Sequence, residues 1–286
     1  MSPRKVLTVL MVILALGATA GVVRAADQAQ VLKDGAAKME ALICESEGQA
    51  MGQKLALFKQ AGLAYQPSLM APLTGVIACK NAEQMRVLYG MYTFDANIAL
   101  VFGKKKEYVE TQQLLRQELT DKLKLSDKLQ VQGMTAEELK KVAENPDDPA
   151  NRELFIKYAF ANIHAWIALS ASDPEVMHLM VDSFYGATIQ GLYVSCKLAL
   201  GAGGGEKLVA LFNEQASRLD KADQIVGAYA GDRELSVLVD KDERQKVLKP
   251  IIALLQEKKG NLAEADLKKI LAQVEPQRAA LVAPCK

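Results

Sequence analysis

"MRVLYGMYTFDANIALVF", residues 85–102, is apolar or aromatic at most of its positions, yet an aspartate, Asp95, sits among them. At about 100° per residue, Arg86, Gly90, Thr93, Asn97 and Lys104 fall on one narrow polar stripe of a helix. Asp95 falls diametrically opposite, among Leu88, Met91, Ile98, Ala99 and Phe102, with Tyr92 beside it. The stretch therefore reads as a helix that turns a carboxylate inward. A lone buried carboxylate is costly unless it is paired or protonated, so something must meet it. A structural hydrogen bond from a tyrosine hydroxyl, a buried amide such as Asn162 or a helix N-terminus is the ordinary solution. The alternative is a ligand donor in a closed pocket, where burial would raise the pKa of Asp95.

A second stretch, "FYGATIQGLYVSCKLALG" at 184–201, has the same design. Its polar stripe holds Asp182, Gly186, Gln190 and Lys197. Nearly opposite, Ala187, Gly191 and Ser195 form a small-residue ridge that admits another helix or leaves room for a ligand. On a third helix, Phe155 and Trp166 share an apolar face with Asn162. Asp95 with Tyr92, Gly191 and Ser195 with Tyr193, and Asn162 with Trp166 form the candidate ligand-binding cluster. Both long helices carry a Tyr-Gly pair followed by an apolar run and a glycine stop, which suggests two similar halves, 26–145 and 146–286, within one compact domain.

Working outward, almost every segment reads helical and alternating β-branched runs are missing. A first helix runs from about Asp27 to Gln60 and stops at Gly62. A loop follows, with Pro67 and Pro72 preventing regular continuation. Asn81 is placed to cap the helix that carries Asp95. The charged helix after Gly103 shows an apolar stripe through Val109, Leu115 and Leu119. Thr135 and Glu138 make a capping box. Pro149 opens a helix to Ser170, and Asp173–Pro174 opens another that ends near Gly201. "GAGGGE" is a flexible corner. Later helices are bent at Pro250, begun by Asn261 with Glu264, and interrupted at Pro276. About nine helices make an all-α multi-helix bundle.

The first 25 residues read as a secretory signal: Arg4 and Lys5, an apolar core over Val6–Leu16, and small residues Val23 and Ala25 before a cleavage point. Cleavage after Ala25 would leave 32 basic against 34 acidic residues, a balance of −2, with no basic footprint for nucleic acid. No later stretch is long and apolar enough to span a membrane. The expected location is the bacterial periplasm. The four cysteines suit an oxidising compartment, and the preferred pairs are Cys44–Cys79 and Cys196–Cys285, one for each half.

Catalytic and metal chemistry is weakly represented. His164 shares a polar face with Glu153 and Lys157. His178 and Asp182, spaced i, i+4, read as a solvated surface pair rather than a metal site. No nucleophile elbow, zinc-protease, phosphate-loop, dinucleotide or calcium-loop signature is present. No catalytic residue, metal or cofactor is expected, and a general acid–base role for Asp95 lacks a partner. Through "YGMYTFDANIA" and "ATIQGLY" the chain resembles uncharacterised, secreted, all-helical bacterial proteins, a likeness that implies architecture without an established activity. The expected function is binding or scaffolding in the envelope. A protein-interaction module predicts an exterior patch and a dry interior around Asp95. A small-molecule binder predicts a cavity between the halves, near Asp95.

Overall fold

The computed structural model describes residues 28–43, 57–73, 79, 81–129, 134–145, 148–202, 208–228 and 241–283. Among these there is no strand, and the architecture is an all-α multi-helix bundle, as expected. The signal segment lies outside the described residues. We number the helices α1 (28–43), α2 (Ala82–Val101), α3 (Lys105–Gln113, continuing through Lys122), α4 (Ala136–Glu144), α5 (Pro149–Ser170), α6 (Pro174–Ala202), α7 (Val209–Ala228), α8 (Lys241–Lys258) and α9 (Glu264–Val282).

Local chemistry explains most of the boundaries. The Asn81 side chain accepts from Gln84 N, satisfying one of the free donors of the first turn of α2. Gly103, at φ +67°, follows that helix in the left-handed conformation that glycine adopts without strain. Thr135 and Glu138 form the expected reciprocal box at the start of α4. Asp148 caps α5 through Ala150 N and Asn151 N, with Pro149 in the first turn. At the start of α9 the cap is Ala263 rather than Asn261: the Ala263 amide donates to Asp266 Oδ2, two residues later than the expected start. Pro276 lies inside α9 without interrupting it.

The charged segment after Gly103 departs from its expected stripe. Val109 is 39% exposed, while Tyr108, Leu114, Leu115 and Leu119 are buried. Six residues separate Val109 from Leu115, which at about 100° per residue turns them about 120° apart, so Val109 leaves the face that buries Leu115 and Leu119. A π-helical stretch follows over Leu114–Leu119.

α2 and α6 form the centre. α6 packs against α2, α5, α7 and α9; α1 lays Leu32, Ala36, Met39 and Ile43 into the same apolar cluster as Met85, Leu88 and Tyr92 of α2. Both central helices are buried on nearly all sides, so their polar stripes do not face water. They face other helices. Arg86 meets Asp182, Gly90 meets Ser183, Val87 meets Gly186, and Asp95 meets Gln190. The partners advance together along the two chains, so the helices run parallel and in register. The glycines permit this approach: a Cβ on Gly90 would lie 1.7 Å from Ser183 O, and one on Gly186 would lie 2.0 Å from Val87 O.

The cysteines correct one expectation. Cys196 is a free thiol, fully buried in the cluster that contains Val194, Leu198 and Phe212, so it does not bridge to Cys285. It faces the apolar interior, and burial pushes its pKa up to about 12. Cys44 and Cys285 lie outside the described residues, and with Cys44 the Cys44–Cys79 pair.

Candidate functional site

Asp95 does point inward, with 4% of its surface exposed. What meets it is a loop and a neighbouring helix. The Ala71 amide donates to Oδ2 at 2.7 Å, and Gln190 Nε2 donates to Oδ1 at 2.7 Å. The same Gln190 nitrogen donates to Leu69 O at 3.0 Å, while its oxygen accepts from Arg278 Nε at 2.8 Å. Arg278 also donates to Leu69 O and Met70 O, and its guanidinium lies 4.2 Å from the ring centroid of Tyr193. The Tyr92 hydroxyl donates to Pro72 O at 2.7 Å. Both carboxylate oxygens are therefore occupied by protein, and the group is the hub of a clamp joining α2, α6, α9 and the 69–72 loop.

Desolvation dominates the electrostatics of this hub. Burial pushes Asp95 up to about 7, against the Ala71 amide, Gln190 and the positive charge of Arg278. Burial and the nearby Asp95 carboxylate likewise raise the Tyr92 hydroxyl. Gln190 is one of the residues that the helical wheel places on the wrong side. It sits on the nominally polar stripe of α6 and is fully buried, because that stripe meets α2.

A second polar cluster lies one end of the α2–α6 contact away. Asp182, fully buried, is flanked by Arg86 Nε at 2.7 Å and Arg244 Nη1 at 2.6 Å; Arg244 Nη2 reaches Glu83 at 3.1 Å and its guanidinium stacks over Tyr185. His178 is buried, not solvated, and burial with the neighbouring Arg86 charge lowers its pKa to about 4. The expected surface pair of His178 and Asp182 is thus an interior one: two guanidiniums compensate the carboxylate, and the imidazole stays neutral. His164 does remain at the surface, with Nδ1 2.7 Å from Glu40. Among the described residues no group of side chains could hold a metal ion.

The cavity lies elsewhere on α2. A space of about 200 Å³ opens where α2, α5, α6 and α7 meet, beyond Ile43 at the end of α1. Its walls include Tyr89, Phe94, Phe160, Trp166 and Phe184, with Tyr89 and Trp166 in an edge contact at 6.1 Å. Thr93 and Asn97, from the polar stripe of α2, face it, as do Ser183 and Ala187 of α6. Among the described residues the charged ones at its wall are Arg218 and Lys221, one turn apart on α7. Trp166 Nε1 is buried with no hydrogen-bond partner.

Of the seven expected site residues, Trp166 lines this cavity. Asp95 and Tyr92 belong to the clamp, and Tyr193 lies under Arg278. Gly191 packs on Phe94 and Gln215, with room for a Cβ only 3.1 Å from the Phe94 ring. Ser195 is buried within α6, and Asn162 is half-buried on α5. The ridge of small residues thus serves helix packing at Gly191, while Ala187 reaches the cavity. Arg218 and Lys221 do carry a sequence signal, two cations at i, i+3 on one face of an amphipathic segment. No family model, curated protein or solved structure matches the chain.

Proposed function

We propose that this is an exported periplasmic protein that binds a small molecule in the cavity between its two halves. The observation that carries the reading is the aromatic-lined cavity with Thr93, Asn97 and Arg218 at its wall. Ligand sites are apolar concavities with a few placed polar groups. The rival reading, an interaction module, finds support in the packed polar clamp around Asp95. Its exterior apolar patch has less: among the described residues the one large apolar side chain classed as exposed is Val109. No helix of the described residues is long and apolar enough to cross a membrane.

Export rests on the leader-like first 25 residues, with cleavage after Ala25, and a single disulfide from Cys79 to Cys44 fits an oxidising compartment. Mass measurement of the mature N-terminus and non-reducing peptide mapping check these two points. Native mass spectrometry of protein purified from its own envelope tests binding. A retained small molecule that is lost from a Trp166→Ala variant supports the reading. A bare chain, with Trp166 emission unmoved by small aromatic probes, overturns it.

A further inference from the structure

We infer that the cavity selects a ligand with a compact apolar body and a single anionic head, held by Arg218. This rests on the small-molecule reading above and specifies its ligand class.

Three independent features converge on it. The first is size. An engineered cavity of about 150 Å³ holds benzene, so a space of about 200 Å³ takes an aromatic ring with a short substituent, or a short acyl chain. It is too small for a long-chain lipid or a nucleotide. The second is the wall. Rings from α2, α5 and α6 line it, which suits a flat or flexible hydrocarbon body. The third is charge. Among the described residues at the wall the charged side chains are Arg218 and Lys221, both cationic.

Arg218 is the better recogniser of the two cations. Its guanidinium lies 5.9 Å from the Phe94 ring centroid, and no carboxylate is paired with it among the described residues. A planar guanidinium resting on a ring is oriented yet keeps its in-plane N–H donors free, the arrangement that suits a carboxylate or a similar oxyanion. Lys221, one turn further along, adds positive potential. A cationic head would meet the like charge of the Arg218 guanidinium. A neutral alcohol would fill the cavity but leave the guanidinium unmatched.

The chain has a single tryptophan, and it lines the cavity, so intrinsic fluorescence reports occupancy directly. The purified full-length mature protein is titrated with three probes that share one body: 3-phenylpropionate, 3-phenylpropan-1-ol and 3-phenylpropylammonium. Calorimetry runs in parallel. The expected result is saturable change of emission, with the anion bound about tenfold tighter than the alcohol and the ammonium weakest, as one charge-assisted hydrogen bond implies. Arg218→Gln, checked for native helicity by circular dichroism, should remove the preference while leaving alcohol affinity within about twofold. If Arg218→Gln does not fold, Arg218→Lys serves, with a reduced preference expected because the fork geometry is lost. Equal binding of anion and alcohol overturns the charge selection and leaves a small-molecule site standing. Tighter binding of the ammonium overturns it too. No response to any probe, by either method, overturns both the selection and the site.

Discussion

Replacing Gly90 by alanine should unfold the α2–α6 contact rather than strengthen α2. In an exposed helix interior the change would gain about 1 kcal/mol of helix propensity. Here the new methyl would stand 1.7 Å from Ser183 O and 2.6 Å from Ser183 Cα, atoms of a backbone that cannot rotate away. Ordinary contact begins at 3.4 Å, so the helices must part by more than 1.5 Å at the crossing. Arg86–Asp182 and Gln190–Asp95, both at 2.7 Å, flank that point and would stretch beyond hydrogen-bond reach if the helices moved rigidly. Overpacking costs about 1–3 kcal/mol, and weakening a charge-assisted hydrogen bond adds about 1.5 kcal/mol or more. Less the propensity gain, the net loss is about 3 kcal/mol, which lowers Tm by roughly 6–12 °C for a chain of this size. Scanning calorimetry or circular dichroism melts read this directly. Gly201→Ala and Gly227→Ala are the controls, since a Cβ there meets nothing within 4 Å, and both should leave Tm unchanged or raised. A Gly90→Ala protein that melts with those controls would refute the close parallel crossing.

The ionisation of Asp95 makes a signed prediction. Its folded pKa, near 7, exceeds the ordinary 3.8, so between those values the folded chain holds a proton that the unfolded chain has lost, and stability falls as pH rises from about 4 to 7. The penalty reaches about 4 kcal/mol at most. Asp95→Asn loses one acceptor, costing about 1–3 kcal/mol at low pH, and the difference in urea stability between wild type and variant should shrink as pH rises; a pH-independent difference would sink the argument. Asp182→Asn leaves the facing guanidiniums of Arg86 and Arg244 undercompensated and should cost about 3–5 kcal/mol, while exchange of the exposed Glu110 changes stability by under about 1 kcal/mol; chemical denaturation compares them. Cys196 should resist a thiol reagent in the native protein and react on unfolding in denaturant without reductant; rapid native modification at Cys196 would contradict its burial.

The helical architecture was readable because its punctuation is local. Asn81, Thr135 with Glu138, and Pro149 act within a few residues of where they stand, and the structure uses each as expected. So was the inward turn of Asp95, which needs only helical periodicity. Its partners were not readable: Ala71 contributes a backbone amide from a loop, and Arg278 comes from the last helix. Periodicity also ranks the faces of one helix without saying what covers the wetter one. On α2 and α6 that face is covered by the other helix, so Asp182, Gln190 and His178 were placed in water when they are interior. The cavity escaped notice for a related reason. It takes its aromatics from three helices and its cations from a fourth, and no single segment shows the pattern.

The clamp on the 69–72 loop has a temporal consequence. Arg278 grips Leu69 across 209 positions of chain, and Gln190 reaches it across 121. The Arg278 contact cannot close until nearly the whole polypeptide has emerged, and closing such long loops is slow. Until then Gln190 and the carbonyls of the 69–72 loop lack their guanidinium partner. Loss of the last helix would accordingly leave a nascent body that assembles its first contacts yet never seals.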